Sequence, residues 1–260
     1  MRLLVSVASA SDASAALEGG AAFIDAKNPT AGPLGAVSAR VFTEICDAVA
    51  GRRPVTAALG DAADETDIET AARTFANAGA ALVKVGFAGI ASASRVDALL
   101  AAAMRGVRQG TERRCGVIAV AYADAHAVAS LPPGALSMIA ARNGATGVLL
   151  DTADKAGPGL RDLTTSHAIE EWVLAAHANG LLVALAGKLS LVDMPFVRDC
   201  GADVAGVRGA ACDDGRTGRV SAARVRLLQD ACQRPGNQTE GLSAASSAAM
   251  SSAATTRDLT

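Results

Sequence analysis

The chain has 260 residues, which is enough for one large domain or two small ones. Its 24 Lys and Arg residues are nearly balanced by 26 Asp and Glu residues, and the net charge of -2 argues against nucleic-acid or anionic membrane partners. Half of the residues are hydrophobic but only 3% are aromatic, so we expect a core made mainly of Ala, Val, Leu and Ile.

The cysteines and the apolar segments indicate the compartment. Five cysteines are scattered along the chain without CxxC spacing, a pattern typical of free thiols in a reducing cytosol and not of a disulfide framework or a zinc site. The first apolar run, residues 1–7, is too short for a signal peptide. No stretch of about 18 residues is apolar throughout, as a transmembrane helix would be. We therefore expect a cytoplasmic protein with no membrane, nucleic-acid or metal partner.

Eight apolar runs alternate with helical patterns along the chain. The predicted strands cover residues 3–7, 22–25, 55–59, 81–85, 115–121, 147–151, 181–186 and 203–207. The predicted helices cover residues 12–18, 38–49, 66–77, 92–107, 135–142, 166–178, 191–199 and 221–232. For the first helix, Ser11 or Asp12 is a candidate N-cap residue.

This alternation predicts an α/β fold, a (β/α)₈ TIM barrel that forms a single domain over residues 1–234. Glycines precede four of the strands and are expected to end the preceding helices in a left-handed conformation: Gly20, Gly79, Gly144 and Gly201. The alternative is an open doubly wound sheet, but no GxGxxG motif supports it. Residues 235–260 are rich in Ser and Ala and predict a disordered tail.

Lysine is rare in this chain. Only four of the 24 basic residues are Lys, namely Lys27, Lys84, Lys155 and Lys188. An amine can form a Schiff base with a carbonyl compound and a guanidinium cannot, so retained lysines are candidates for chemistry. Three of them lie at predicted strand ends and Lys155 lies in the loop after the sixth strand. This is the end of a barrel at which active sites form.

Two carboxylates accompany these lysines. Asp25 and Lys27 are two residues apart and so share a face of the second strand. Lys84 and Asp151 end the fourth and sixth strands, and side chains of alternate strands fill the same layer of a barrel, so we expect the group to converge on the barrel axis. Burial and a second ammonium nearby would lower the pKa of a nucleophilic lysine. The alternative is a set of interior Lys–Asp ion pairs without chemistry.

The last two strands are followed by glycine-rich turns. Many barrels bind phosphate there through backbone N–H groups. Gly187, Gly209 and Ala210 are the candidate donors, and Lys188 or Arg208 would add positive charge. After the third strand, an acidic segment that begins with Asp61 is predicted to be a solvated loop in preference to a metal site.

With these residues placed, the chain resembles the (5-formylfuran-3-yl)methyl phosphate synthase family of methanofuran biosynthesis. The resemblance runs in order through about residues 1–230. It rests on residues 3–6, residues 24–29 with 32–36, residues 83–86, 121–124, 150–155 and 184–187, and the Gly-Val-Arg-Gly-Ala-Ala-Cys segment at 206–212.

The resemblance implies an enzyme that condenses two molecules of glyceraldehyde 3-phosphate into a furan aldehyde phosphate, releasing phosphate and water. It implies a Schiff base on Lys27, a proton acceptor at Lys84, and active-site roles for Asp25, Asp151 and Lys155. It implies no metal or organic cofactor and a phosphosugar as the small-molecule partner. The Arg- and Ala-rich composition and the tail look bacterial, and together with the resemblance they imply a methylotroph that uses the cofactor for formaldehyde oxidation. We also expect a homo-oligomer.

Two other functions stay open at this point. One is a different class I aldolase that acts on another phosphosugar through a lysine Schiff base. The other is a non-catalytic barrel that serves as a subunit of a larger complex. Product analysis would identify the first, because an aldolase would give a simple aldol and not a furan. Borohydride trapping would identify the second, because a non-catalytic barrel would give no adduct.

Overall fold

The computed structural model describes residues 1–110 and 115–233. Its strands are β1 Arg2–Val7, β2 Phe23–Ala26, β3 Val55–Asp61, β4 Leu82–Gly86, β5 Gly116–Tyr122, β6 Gly147–Asp151, β7 Leu182–Leu185 and β8 Val204–Val207. The predicted tail at residues 235–260 lies outside the described residues.

The helices lie between the strands and after the last one. They are α1 Ala10–Glu18, α2 Ala39–Val49, α3 Glu65–Asn77, α4 Ala93–Arg108, α5 Pro133–Arg142, α6 Leu160–Leu163, α7 Ser166–Ala178, α8 Met194–Asp199 and α9 Ala222–Gln233. Short 3₁₀ turns cover Leu191–Asp193 and Gly209–Ala211. Within the described residues, no helix is long and apolar enough to cross a membrane.

The eight strands form one closed parallel barrel in sequence order, with β8 pairing back onto β1. The predicted TIM barrel is therefore confirmed, and the open doubly wound sheet is excluded. Apolar side chains form two layers, one between the strands and the helices and one inside the barrel. This arrangement explains the near-continuous apolar runs, because a parallel strand covered by helices is buried on both faces.

Local backbone chemistry sets the helix ends. Gly20, Gly79, Gly144 and Gly201 all have positive φ, between 72° and 95°, which confirms the predicted left-handed helix ends. The prediction for the start of α1 is wrong. Ser9 is the N-cap and accepts a hydrogen bond from the Asp12 N–H, so the helix begins at Ala10.

Candidate active site

A cavity of about 320 Å³ opens at the carboxyl ends of the strands, where the loops after β2, β6, β7 and β8 surround it. Its lining includes all four lysines, Asp151, and the glycine turns after β7 and β8. The structure thus brings together the charged residues that strand parity predicts at the barrel axis. The sequence predictions placed the site at this end, where the active sites of TIM barrels lie.

Asp25 lies at the centre of a buried hydrogen-bond network. It is fully buried on β2, and the strand register sets it between Ser6 of β1 and Thr56 of β3. Ser6 Oγ and Thr56 Oγ1 donate to its carboxylate at 2.9 and 2.7 Å, and Lys84 Nζ donates at 2.5 Å. The side chain of Lys84 is only 5% exposed. A buried ion pair is tolerated when its members are hydrogen-bonded, and the Asp25 carboxylate here accepts three such bonds.

A second ion pair lies on the β6 side of the cavity. Lys155 Nζ donates to Asp151 Oδ1 at 2.6 Å and to Thr152 Oγ1 at 3.3 Å. The Thr152 N–H donates to the same carboxylate oxygen at 2.8 Å. Burial raises the pKa of Asp151, but the charges of Lys155 and Lys27 outweigh burial, so this pKa lies below its usual value. Asp151 is therefore an anion at neutral pH.

Lys27 differs from the other three lysines. It follows β2 directly, and its N–H donates to the Val7 carbonyl at 2.9 Å. Its side chain is buried, yet within the described residues its ammonium has no hydrogen bond or ion pair. Burial lowers its pKa to about 8, the Lys84 charge adds to this effect, and the Asp151 and Asp25 charges oppose it. Lys27 is thus the lysine that most readily becomes a neutral amine.

The predicted phosphate residues all lie at the same cavity wall. Gly187, Lys188, Arg208, Gly209 and Ala210 line it. Within the described residues, the backbone N–H groups of Gly209 and Ala210 have no hydrogen-bond acceptor, although the next two N–H groups are bonded. Lys188 is exposed and donates to the Gly157 carbonyl. The wall therefore carries free donors and positive charge, the two features that an anion requires.

Arg208, one of the two residues predicted to add positive charge at this wall, is already engaged in hydrogen bonds. Its guanidinium is buried and donates four hydrogen bonds, to the carbonyls of Ser6, Arg216 and Gly218 and to the Asp12 carboxylate. Most of its donors are therefore already used in joining the β8 turn to the start of the chain. A phosphate at this wall would meet mainly the remaining N–H and the long-range charge of Arg208.

Arg216 is a site residue that sequence reasoning missed. It lies in the loop after β8, lines the cavity, and donates to the carbonyls of Pro29 and Gly32 at 3.3 and 2.8 Å. It thereby ties the turn after β8 to the loop that follows Lys27. Nothing in its neighbourhood in the sequence marks it, because it is one of 20 arginines and lies nine residues past the strand end.

Asp124 positions the loop that carries Lys155. Its two carboxylate oxygens accept the N–H groups of Ala153 and Asp154, both at 2.8 Å. These bonds fix the backbone of the two residues that lie immediately before Lys155. Asp124 lies two residues past β5, and its position in the sequence alone does not indicate these partners.

The acidic segment after β3 is more ordered than predicted. Asp61 ends β3, and its carboxylate accepts hydrogen bonds from Tyr122 Oη at 2.6 Å and from the Ala88 N–H. Asp64 caps α3 by accepting from the N–H groups of Thr66 and Asp67. Among the described residues, no group of three or more His, Cys, Asp or Glu side chains is arranged to hold a metal ion.

Solved structures similar to this chain share its barrel. A 3-hexulose-6-phosphate synthase has a TM-score of 0.58 at 23% identity, with 89% of this chain and 99% of the other covered. The 3-hexulose-6-phosphate synthase from Salmonella typhimurium has a TM-score of 0.62 at 15% identity, with 89% and 98% covered. At these identities the likeness shows the fold alone.

Curated relatives are more similar in sequence. A Methanopyrus kandleri protein named (5-formylfuran-3-yl)methyl phosphate synthase is 41% identical over 234 residues, covering 88% of this chain and 98% of the relative. A Methanocaldococcus jannaschii protein of the same name is 35% identical over 236 residues, covering 90% and 100%. A Kitasatospora aureofaciens protein named as a putative form of this synthase is 38% identical, covering 76% and 79%. The sequence model described as 4-HFC-P synthase matches residues 3–229, and the chain belongs to the (5-formylfuran-3-yl)methyl phosphate synthase family.

Proposed function

We propose that this protein condenses two molecules of glyceraldehyde 3-phosphate into (5-formylfuran-3-yl)methyl phosphate through a Schiff base on Lys27. The observation that carries the proposal is the state of Lys27. It is a buried amine with a pKa of about 8, and within the described residues it has no partner, whereas Lys84 and Lys155 are ion-paired. The family to which the chain belongs supports the identity of the product.

The first step would use the neutral amine of Lys27. Its nitrogen attacks the carbonyl carbon of the substrate, and loss of one water from the adduct leaves an iminium. The positive iminium nitrogen withdraws electrons and acidifies the adjacent carbon. A base can then remove a proton from that carbon to form the nucleophile that attacks the second aldehyde.

Lys84 and Asp25 are suited to move that proton. The Lys84 ammonium shares a hydrogen bond with Asp25, and the carboxylate keeps two hydroxyl donors whichever side holds the proton. Lys84 can therefore give up a proton and regain one without leaving the carboxylate unsatisfied. Asp151 and Lys155 form a second such pair, which we assign to orienting the substrate and to relaying protons in the dehydration steps.

The substrate phosphate would bind at the wall formed by the turns after β7 and β8. The unbonded N–H groups of Gly209 and Ala210 and the ammonium of Lys188 support this assignment. The wall lies at the same cavity as Lys27, so one ligand can span both. We place the reaction in the cytoplasm, within the synthesis of a cofactor for one-carbon metabolism.

The test is covalent trapping. Wild-type protein is incubated with glyceraldehyde 3-phosphate and borohydride, and the reduced adduct is located by peptide mass spectrometry. Lys27→Arg keeps the charge but removes the nucleophilic amine, so both the adduct and the turnover should fall to background.

Lys84→Arg is the matched control, because it keeps a cation beside Asp25. It should retain adduct on Lys27 while turnover falls by about 10²–10⁴-fold, the usual contribution of proton transfer. An adduct that maps to Lys84 or Lys155, or persists at the wild-type level in Lys27→Arg, contradicts the assignment. A simple aldol product in place of a furan would favour another class I aldolase, and the absence of any adduct would favour a non-catalytic subunit.

A further inference from the structure

The cavity continues below the layer of lysines into the barrel interior. Among its lining residues there, Thr56 is polar, and the others are apolar side chains from the first half or middle of several strands: Leu4, Phe23, Leu82, Ile118, Leu149 and Leu182. Leu82 and Leu182 are the first residues of β4 and β7, so this lower part reaches deep towards the amino ends of the strands. We name this lower part the shaft.

Small residues on the last two strands keep the shaft open. Interiors of TIM barrels are normally filled by layers of bulky branched side chains. Here Ala184 of β7 and Gly206 of β8 line the cavity instead, and Gly206 pairs with Leu4 in the strand register. A Cβ placed on Gly206 would meet Ala186 at 3.4 Å and Leu4 at 3.8 Å, which are ordinary contact distances. Backbone packing therefore does not require glycine at this position.

The shaft lies beneath the proposed phosphate site, which is formed by the turns that follow β7 and β8. Gly206 lies within β8, and Gly209 begins the 3₁₀ turn that follows the carboxyl end of the same strand. A ligand whose phosphate meets the Gly209 N–H would thus extend downwards past Lys27 towards the shaft. The part of the ligand that enters the shaft must be mainly apolar. Thr56, the polar side chain in its lining, already donates its hydroxyl to Asp25 at 2.7 Å, and an unpaired buried hydroxyl is costly.

We infer that the shaft is the binding site for the furan ring as it forms. This inference rests on the proposed function. The two triose phosphates together lose one phosphate and two waters on the way to the product, with no net oxidation or reduction. Each dehydration step removes a hydroxyl group for which the apolar side chains of the shaft offer no hydrogen bond. The shaft therefore favours the dehydrated planar ring over its hydroxylated precursors.

The inference is tested with a probe that has neither a phosphate nor a carbonyl group. Binding of 3-methylfuran to the full protein is measured by ligand-observed NMR, with Gly206→Val as the filled variant. Gly206→Val should weaken 3-methylfuran by about tenfold or more, because the added methyl groups occupy the shaft. The affinity for inorganic phosphate, measured on the same protein, should change by less than about twofold and serves as the internal control.

A second variant keeps the test decisive if Gly206→Val does not fold. Gly206→Ala adds a single methyl group and should weaken 3-methylfuran by an intermediate factor, while Val204→Ala widens the shaft and should not weaken it. Equal affinity in wild type and the filled variants, or no binding of 3-methylfuran to wild type, would overturn the inference.

Failure of the proposed function would be seen separately. If the inference holds, Gly206→Val should still form the borohydride-trapped adduct on Lys27 but release little furan product. Absence of an adduct in wild type, with 3-methylfuran binding intact, would reject the condensation and keep the apolar site.

Discussion

The charge of Asp151 raises the pKa of Lys27, and the charge of Lys27 lowers the pKa of Asp151. With a pKa of about 8, about one Lys27 side chain in ten is a neutral amine at pH 7, against about one in several thousand for an unperturbed lysine. The Asp151 charge is the strongest influence that opposes this lowering. The amount of neutral amine is therefore set mainly by burial and by the opposing charge of Asp151, with smaller effects from Lys84, Asp25 and Lys155.

This balance predicts a pH profile. The rate of adduct trapping should rise about tenfold per pH unit up to about pH 8 and then level off, as Lys27 loses its proton. Asp151→Asn removes a charge that raises the pKa of Lys27, so its plateau should begin at lower pH. Asp47→Asn, at an exposed carboxylate on α2, is the control and should leave the inflection unchanged. An unchanged inflection in Asp151→Asn would show that another group sets the profile.

The rarity of lysine was enough to find four side chains that line the cavity, but the sequence did not show which carboxylate each lysine pairs with. Asp25 and Lys27 are two residues apart and share a face of β2, which left open whether they pair with each other. The structure instead gives Asp25 to Lys84, which is 59 residues away. Which ammonium reaches a carboxylate depends on side-chain length and on the packing of neighbouring strands, and strand parity fixes neither.

Among the elements, the 3₁₀ turn after β8 carries the clearest prediction. A Cβ on Gly209 would come no closer than 3.7 Å to any neighbour, so a side chain there is sterically tolerated. Gly209→Asp should raise KM by about tenfold or more, because it places a carboxylate beside the unbonded N–H groups that would meet the phosphate. Gly209→Asn is the matched variant of equal size without charge and should have a much smaller effect. Equal KM values for the two variants would place the phosphate elsewhere.

The loop between β6 and α6 carries a second prediction. Asp124→Ala removes the two bonds that hold the backbone before Lys155, so kcat should fall about tenfold or more while the barrel stays folded. Asp64→Ala is the control, since Asp64 also accepts two backbone N–H groups, but at the start of α3. It should cost about 1 kcal/mol of stability and leave kcat unchanged. Equal kcat values for wild type and Asp124→Ala would remove the positioning role.

The predicted bounds are correct for some regular elements and wrong for short irregular ones. β6 and α7 have the predicted bounds. The predicted helix at 191–199 is a 3₁₀ turn followed by α8, and α6 was missed. A helix of four residues completes barely more than one turn, so it has no apolar period to detect.

For the whole molecule, the buried Asp12–Arg208 ion pair links the first helix to the turn after the last strand. Asp12 accepts hydrogen bonds from Arg208 Nη1 and the Ala8 N–H, and its other oxygen accepts from the Val220 N–H. Burial raises the pKa of Asp12, but the bonds from Arg208 and from these N–H groups outweigh it, and the pKa lies below its usual value. Because the folded pKa is below the unfolded one, this stabilisation is complete above about pH 4 and is lost as the pH falls through the folded pKa.

Asp12→Asn should therefore lower the free energy of unfolding by about 3 kcal/mol at pH 7, because it leaves a buried guanidinium without its counter-charge. The difference from wild type should shrink below about pH 4. Urea unfolding at several pH values measures both effects. Asp230→Asn, at an exposed position on α9, is the control. A difference that stays constant down to pH 2 would exclude titration of Asp12 as the cause.

The seam between β1 and β8 has a consequence for synthesis on the ribosome. The two strands pair Arg2 with Val204 and Val5 with Val207. The β1 edge therefore cannot pair in this way until the last strand has been synthesised. Until then β1 and β7 are both open edges, the kind of edge that pairs with other chains. Such distant pairing is entropically costly and is expected to form late in folding. A weakened seam should thus speed unfolding more than it slows refolding, and the nascent barrel should be most prone to aggregation just before its eighth strand emerges.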